Sequence, residues 1–149
     1  MIQIRNVMAL GLLAATLALG ACSTTSMASN TVSVTAKLSG ASEVPANTST
    51  GSGTLEATLD KQTNLLSWTV SYSGMSGPVK AGHFHGPAMA GQNAGVALGF
   101  TGSMDSPIKG SATLSAAQLA DLMAGKWYVN LHTAAHPGGE IRGQATVAP

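Results

Sequence analysis

The sequence predicts an all-β fold, a sandwich or barrel of about eight short strands with one short helix. Apolar and polar side chains alternate in several short segments, which is the pattern of strands buried on one face. The 18 glycines interrupt the chain at short intervals and mark turns. One segment, after Ser115, instead spaces its apolar residues as a helix does. Many short strands separated by close turns are typical of sandwiches and barrels.

The first strand shows the alternation most clearly. Val32, Val34 and Ala36 are separated by Ser33 and Thr35, so one face is apolar and the other polar. The same reasoning, with glycine-rich turns as boundaries, predicts eight strands. These cover residues 31–38, 55–59, 66–72, 79–85, 95–100, 108–114, 127–133 and 140–147.

The helix is predicted between Ser115 and Gly125. Ser115 stands three residues before Gln118, as in a capping box, and Leu119 and Leu122 follow at helical spacing. A glycine at the end suits a helix C-terminus. Because so short a helix is marginal alone, we expect it to pack against the sheet and cover an edge or an open end.

Composition and charge exclude several classes of protein. The chain has 149 residues, of which 9% are charged, and a formal net charge of +1. This length suits one domain, and the even charge argues against a nucleic-acid-binding protein, which would carry a basic stripe. With 44% hydrophobic residues, the chain is also too apolar for a disordered protein.

Residues 1–21 are interpreted as a signal peptide. Arg5 precedes an apolar run over residues 7–19 that is short for a membrane span, which needs about 20 residues. The sequence Leu-Gly-Ala-Cys ending at Cys22 resembles a bacterial lipobox, in which the cysteine is acylated. Ordinary secretory cleavage is the alternative, although it would leave a lone free thiol in an oxidising compartment.

A lipoprotein of this kind would be anchored to a membrane through lipid on Cys22. Ser23 rather than Asp after the cysteine favours, by analogy, the periplasmic side of the outer membrane. Residues 22–30 are small and polar, so we expect a flexible tether. The folded domain is then predicted over residues 31–149.

All four histidines fall in two short windows. His83 and His85 are two apart on a predicted strand, so both rings project from one face and Phe84 from the other. His132 lies near the end of another strand and can complete a site. His136 sits at a glycine-rich loop tip and is a further candidate ligand.

Imidazole ligands favour copper, zinc, nickel or iron over calcium or magnesium, which prefer oxygen. Since Cu(II) lies above Zn(II) in the general affinity order, we expect copper, with zinc as the alternative. Met75 and Met89 lie near the first window and can offer a thioether to Cu(I), although methionine more often fills the core. Structural histidines that hydrogen-bond to turn carbonyls are the competing interpretation.

Two charged residues follow the histidines on the last strand. Glu140 is expected either to hydrogen-bond a ligand imidazole or to form a solvated or paired surface with Arg142. Arg142 can instead pair with Glu43. Trp68 and Trp127 are expected in the core. The sequence offers no nucleophile arrangement, phosphate-binding glycine loop or HExxH helix, so binding is favoured over catalysis.

Three segments together resemble the chordin-type (CHRD) domain. They read LSGASEVPANTSTGSGTLEATLD, AGHFHGPAMAGQNAGV and WYVNLHTAAHPGGEIRGQ, and span about Leu38 to Gln144. The resemblance implies an all-β domain found in exported bacterial proteins and in animal extracellular proteins that bind growth factors. His136 is less typical of the family pattern. That pattern covers His83, His85, His132, Glu43, Pro45, Tyr128, Asn130, Glu140 and Arg142.

The His-x-His strand and the late histidine are also distantly similar to copper/zinc superoxide dismutase, a Greek-key sandwich. The similarity implies Greek-key topology and reaches only the copper half of that enzyme, because this chain lacks its cysteine pair and zinc loop.

The leading hypothesis is a membrane-anchored copper-binding protein for metal handling or tolerance. A protein-interaction or adhesion module with structural histidines is the first alternative. A superoxide-dismutase-like enzyme, with Arg142 attracting an anion, is the second. Exposed sheet edges would also allow a homodimer.

Overall fold

The strands that the structure describes form one antiparallel sheet. A computed structural model describes residues 30–148, so the predicted signal peptide, Cys22 and residues 22–29 of the predicted tether lie outside the described residues. No helix in the described part is long and apolar enough to span a membrane. The elements are β1 (Thr31–Ser39), β2 (Ser52–Asp60), β3 (Leu65–Ser73), β4 (Val79–His85), β5 (Val96–Gly99), β6 (Ile108–Thr113), α1 (Ala116–Met123), β7 (Tyr128–Thr133), β8 (Ile141–Gln144) and β9 (Thr146–Val147). A single 3₁₀ turn, Gly40–Ser42, follows β1.

The strand order is β5-β4-β7-β8-β1-β2-β3-β6, with β9 added beside β1. The sheet has two groups of strands, β5-β4-β7-β8 and β1-β2-β3-β6, which join where Arg142 of β8 pairs with Ser39 of β1. The rings of Trp68 and Phe84 are 5.4 Å apart although four strands separate β3 from β4 in this order. The sheet therefore curls, and the predicted all-β barrel or sandwich fold is confirmed.

The apolar face of the curled sheet encloses the core. Phe84, Val129 and Leu131 are fully buried, and Trp68 and Trp127 lie in the core as the sequence predicted. A Cβ on Gly110 of β6 would lie 2.4 Å from the ring of Trp68, so this ring can pack only against a glycine. Other residues of the same core range from Val32 on β1 to Val147 on β9.

Helix α1 begins with the predicted capping box. The side chain of Ser115 accepts a hydrogen bond from the Gln118 N–H, and the Gln118 side chain accepts one from the Ser115 N–H. Gln118 also donates to the carbonyl of Ala97 in the edge strand β5, and Leu122 is fully buried. The helix therefore covers a sheet edge, which confirms the expectation for it.

The predicted last strand, residues 140–147, is divided in the structure. β8 pairs with β7 and, at Arg142, with β1, whereas β9 pairs with β1 alone, so the pairing with β7 ends between them. The change occurs at Ala145, whose side chain is buried and whose N–H donates to the Trp127 carbonyl. The alternation of side chains continues through this residue, which is why the sequence pattern does not reveal the break.

Candidate metal centre

The structure brings together three of the four predicted ligand histidines. His83 and His85 lie on β4, and His132 lies on the neighbouring β7. One nitrogen of each ring lies within 4.8 Å of the other two. The closest pair is Nδ1 of His83 and Nε2 of His132, at 3.1 Å. Phe84 points into the core, as the alternation predicts.

Backbone carbonyls fix two of the three rings from behind. Nδ1 of His85 lies 3.0 Å from the carbonyl oxygen of Ala94, and Nδ1 of His132 lies 3.0 Å from that of Pro137. A carbonyl can only accept, so each Nδ1 carries the proton and each Nε2 keeps a free lone pair. Nε2 of His85 is buried without a hydrogen-bond partner among the described residues. This is the tautomer that a metal-binding imidazole needs.

The surroundings favour the neutral forms of His83 and His132. Burial lowers the pKa of His83, and the neighbouring rings of His132 and His85 lower it further. Burial also lowers the pKa of His132, as do His85 and Arg142, although the hydrogen bond to Pro137 opposes this. Because imidazole binds a metal only when it is neutral, both shifts favour ligation at neutral pH.

A stack of planar groups supports His85. The ring of Tyr128 lies parallel to the His85 ring, with centroids 4.9 Å apart and planes 1° from parallel. The guanidinium carbon of Arg142 lies 3.9 Å from the centre of the Tyr128 ring. Since β7 lies between β4 and β8, the tyrosine is placed between the imidazole and the guanidinium. The Tyr128 hydroxyl also bonds to the backbone of Ala94, whose carbonyl holds His85.

The chain matches the CHRD domain family over residues 34–145. It belongs to the CHRD domain family. The match covers most of the described residues and includes all three clustered histidines. No curated protein and no solved structure matches this chain.

Arg142 of this CHRD domain is buried in an ion pair. Its Nε donates to Glu43 Oε2 at 3.0 Å, which is one of the alternatives expected from the sequence, and its other nitrogens donate to Gln92 and Asn93. Burial raises the pKa of Glu43, and the nearby Arg142 opposes that rise. Arg142 is only 5% exposed. The expectation that it attracts an anion from solvent is therefore wrong.

Glu140 does not contact an imidazole. Its carboxylate accepts hydrogen bonds from the hydroxyls of Ser49, Ser76 and Thr133 and from the Ser76 N–H. Burial acts to raise its pKa, but these donors outweigh burial and lower the pKa to about 2. Both expectations for Glu140 are wrong, because the side chain is fully buried and turns towards two loops instead of the histidines.

His136 is not part of the histidine cluster. It lies in the loop between β7 and β8 and lines a cavity with Glu43 and Pro137. Its backbone N–H donates to Thr133. The loop contributes to the cluster through the Pro137 carbonyl instead. Of the two methionines considered, Met75 packs against the core and Met89 is 55% exposed.

One polar residue beside the histidines was not proposed as a site residue from the sequence. Asn130 is 1% exposed, and its Oδ1 lies 3.0 Å from Nε2 of His132. From the sequence, Asn130 was noted only as one of the residues that the family pattern covers. The signal that could have identified it is the alternation along β7, which puts Tyr128, Asn130 and His132 on one face.

Proposed function

We propose that this CHRD domain binds copper through His83, His85 and His132 and serves copper handling or tolerance. Three converging imidazole nitrogens support this function. Two strands and two backbone carbonyls hold the rings, so little side-chain entropy is lost when a metal binds. The rings thus form a preorganised donor set.

The observation that carries the proposal is the state of His85. Leaving a buried nitrogen unsatisfied costs about 1–3 kcal/mol. Nε2 of His85 is such a nitrogen, and it belongs to the group that could hold a metal ion. A metal cation would satisfy it, whereas a purely structural histidine would be expected to have a partner there.

Copper is the metal that best fits the donors. Neutral imidazoles suit Cu and Zn, while Ca²⁺ and Mg²⁺ require several oxygen ligands. Among the described residues, the cluster consists of His83, His85 and His132 and includes no carboxylate. We favour copper over zinc because Cu(II) binds nitrogen ligands more tightly than Zn(II) when both ions are equally available.

The proposed setting follows from the N-terminal residues. A lipid on Cys22 would anchor the protein in the periplasm or at the cell surface, on the tether of residues 22–30. The domain would then hold copper close to a membrane. Labelling with a radioactive fatty acid tests the anchor, and Cys22→Ala should abolish the label.

Copper titration of the purified protein tests the metal site. We expect one copper per chain, and a gain of about 2.7 kcal/mol in unfolding free energy at a hundred times the dissociation constant. The double variant His83→Ala, His85→Ala should lose both effects. His136→Ala is the matched control, since its ring is outside the cluster, and should bind as the natural sequence does. Stoichiometric binding by the double variant, or none by the natural sequence, would overturn the proposal.

A further inference from the structure

Asn130 is the most deeply buried polar side chain beside the histidine cluster. On β7 it pairs with His83 of β4 on one side and with Arg142 of β8 on the other. It is only 1% exposed. The strand pairing therefore places an amide, which has both a donor and an acceptor end, at the edge of the proposed copper site.

Glu43 determines which end of the amide faces the histidines. Oε1 of Glu43 and Nδ2 of Asn130 both lie against Gly139. The NH₂ group of Asn130 is therefore on the side of the Glu43 carboxylate. Oε1 has no regular hydrogen-bond partner among the described residues, but its interaction with the Asn130 amide still lowers the pKa of Glu43. The ion pair with Arg142 in turn fixes the position of the Glu43 carboxylate. The amide oxygen is consequently the end that faces His132.

Two acceptor atoms then face each other. Nδ1 of His132 donates to Pro137, which leaves a lone pair on Nε2, and Oδ1 of Asn130 carries only lone pairs. These two atoms are 3.0 Å apart. Either a proton on Nε2 or a metal cation lying against both atoms holds them at this distance, and a metal bound by His132, whose Nε2 also lies 3.1 Å from Nδ1 of His83, would be such a cation.

The spacing also indicates a coordination geometry. For bonds of about 2.0–2.1 Å, separations of 3.0 and 3.1 Å correspond to angles of about 90–100° at the metal. A tetrahedral site needs about 109°, and so a spacing of roughly 3.3–3.4 Å. Angles near 90° with nitrogen and oxygen donors are typical of tetragonal Cu(II). The three histidine nitrogens lie within 4.8 Å of one another, and two bonds of about 2.1 Å span about 4.2 Å, so the His85 ring would close on such a metal by a few tenths of an ångström.

We infer that Oδ1 of Asn130 is a fourth ligand of the proposed copper site and makes it selective for Cu(II). This inference rests on the proposed function. A neutral oxygen donor stabilises Cu(II) more than Cu(I), which prefers softer ligands. Asn130 is then a metal ligand in its own right and not only a support for His132.

Cu(II) electron paramagnetic resonance and chelator competition test the ligand. Asn130→Leu, of similar size but without the oxygen, should weaken Cu(II) binding about tenfold or more and change the copper hyperfine splitting. Cu(I) affinity should change much less. Asn93→Ala is the matched control: it removes another contact to Arg142 but no proposed ligand, and should leave the spectrum unchanged.

Several results would overturn the inference. An unchanged spectrum in Asn130→Leu, with or without weaker binding, would mean that Asn130 only positions His132. If that variant fails to fold, Asn130→Asp decides: a charged oxygen donor must alter the spectrum, and an identical spectrum rejects the ligand. A natural sequence that binds no copper would instead reject the proposed function itself, so the two failures are distinguishable.

Discussion

The two groups of strands carry the same alternation but use their polar faces differently. On β2, Thr54, Glu56 and Thr58 are exposed while the apolar residues between them are buried. On β7, Tyr128 and Asn130 also lie on the polar face, yet both are buried. Alternation separates the faces in both groups, but it does not say whether the polar face is open to water.

Loops account for the difference. Glu43 from the β1–β2 loop and Gln92 and Asn93 from the β4–β5 loop meet at Arg142, over the polar face of β7 and β8. The β7–β8 loop adds the carbonyl of Pro137. Polar groups on this face are therefore desolvated and held by specific partners, as a binding site requires.

The largest contrast is expected between two glutamates. Glu43→Ala leaves the Arg142 guanidinium buried without its ion pair, which should cost about 3–5 kcal/mol of unfolding free energy. Glu56→Ala, on the open face, should change it by no more than about 0.5 kcal/mol. Urea unfolding measures both. Equal effects would show that the loops do not seal the polar face.

A second contrast depends on pH. The folded pKa of Glu140, about 2, lies below its ordinary 4.5, so its contribution is complete above about pH 5 and is lost as pH falls towards 2. Glu140→Gln should cost about 2–3 kcal/mol at pH 7, and the difference from the natural sequence should narrow below pH 4.5.

Glu56→Gln is the control for this effect, because its carboxylate is exposed. It should give a small difference at every pH. A deficit in Glu140→Gln that stayed constant from pH 7 to pH 2.5 would contradict the role of the ionised carboxylate.

The smallest contrast compares two threonines on strands. Thr133→Val removes a hydroxyl that donates to Glu140, and should cost about 1–2 kcal/mol. Thr58→Val changes an exposed side chain and should stay within about 0.5 kcal/mol. Thermal and urea unfolding of the pair would measure this difference, and a larger loss in Thr58→Val would reverse the comparison.

Local patterns made much of this fold predictable. Ser115 and Gln118 form their capping box within one turn, and the alternation around Phe84 fixes which side chains of β4 face the core. The i, i+2 rule also aligns His83 with His85. These predictions needed no knowledge of distant parts of the chain.

The remaining features depend on contacts that a pattern does not encode. The carbonyls of Ala94 and Pro137 hold two of the histidines. Because every residue has a backbone oxygen, the sequence does not show which ones will do so. Glu140 finds donors in Ser49 and Ser76, which are far away along the chain. The expectation for Glu140 failed because its neighbours come from loops whose paths the sequence leaves open.

Because Phe84 lies between His83 and His85, and Leu131 between Asn130 and His132, the side chains of each strand alternate between the core and the face that carries the proposed copper site. A library randomised at positions 83, 85 and 132, whose side chains are only partly buried, should therefore contain many well-folded members, and the proposed site predicts that these differ in the ions they select. A metal site on such a face could be retuned or lost without redesigning the interior.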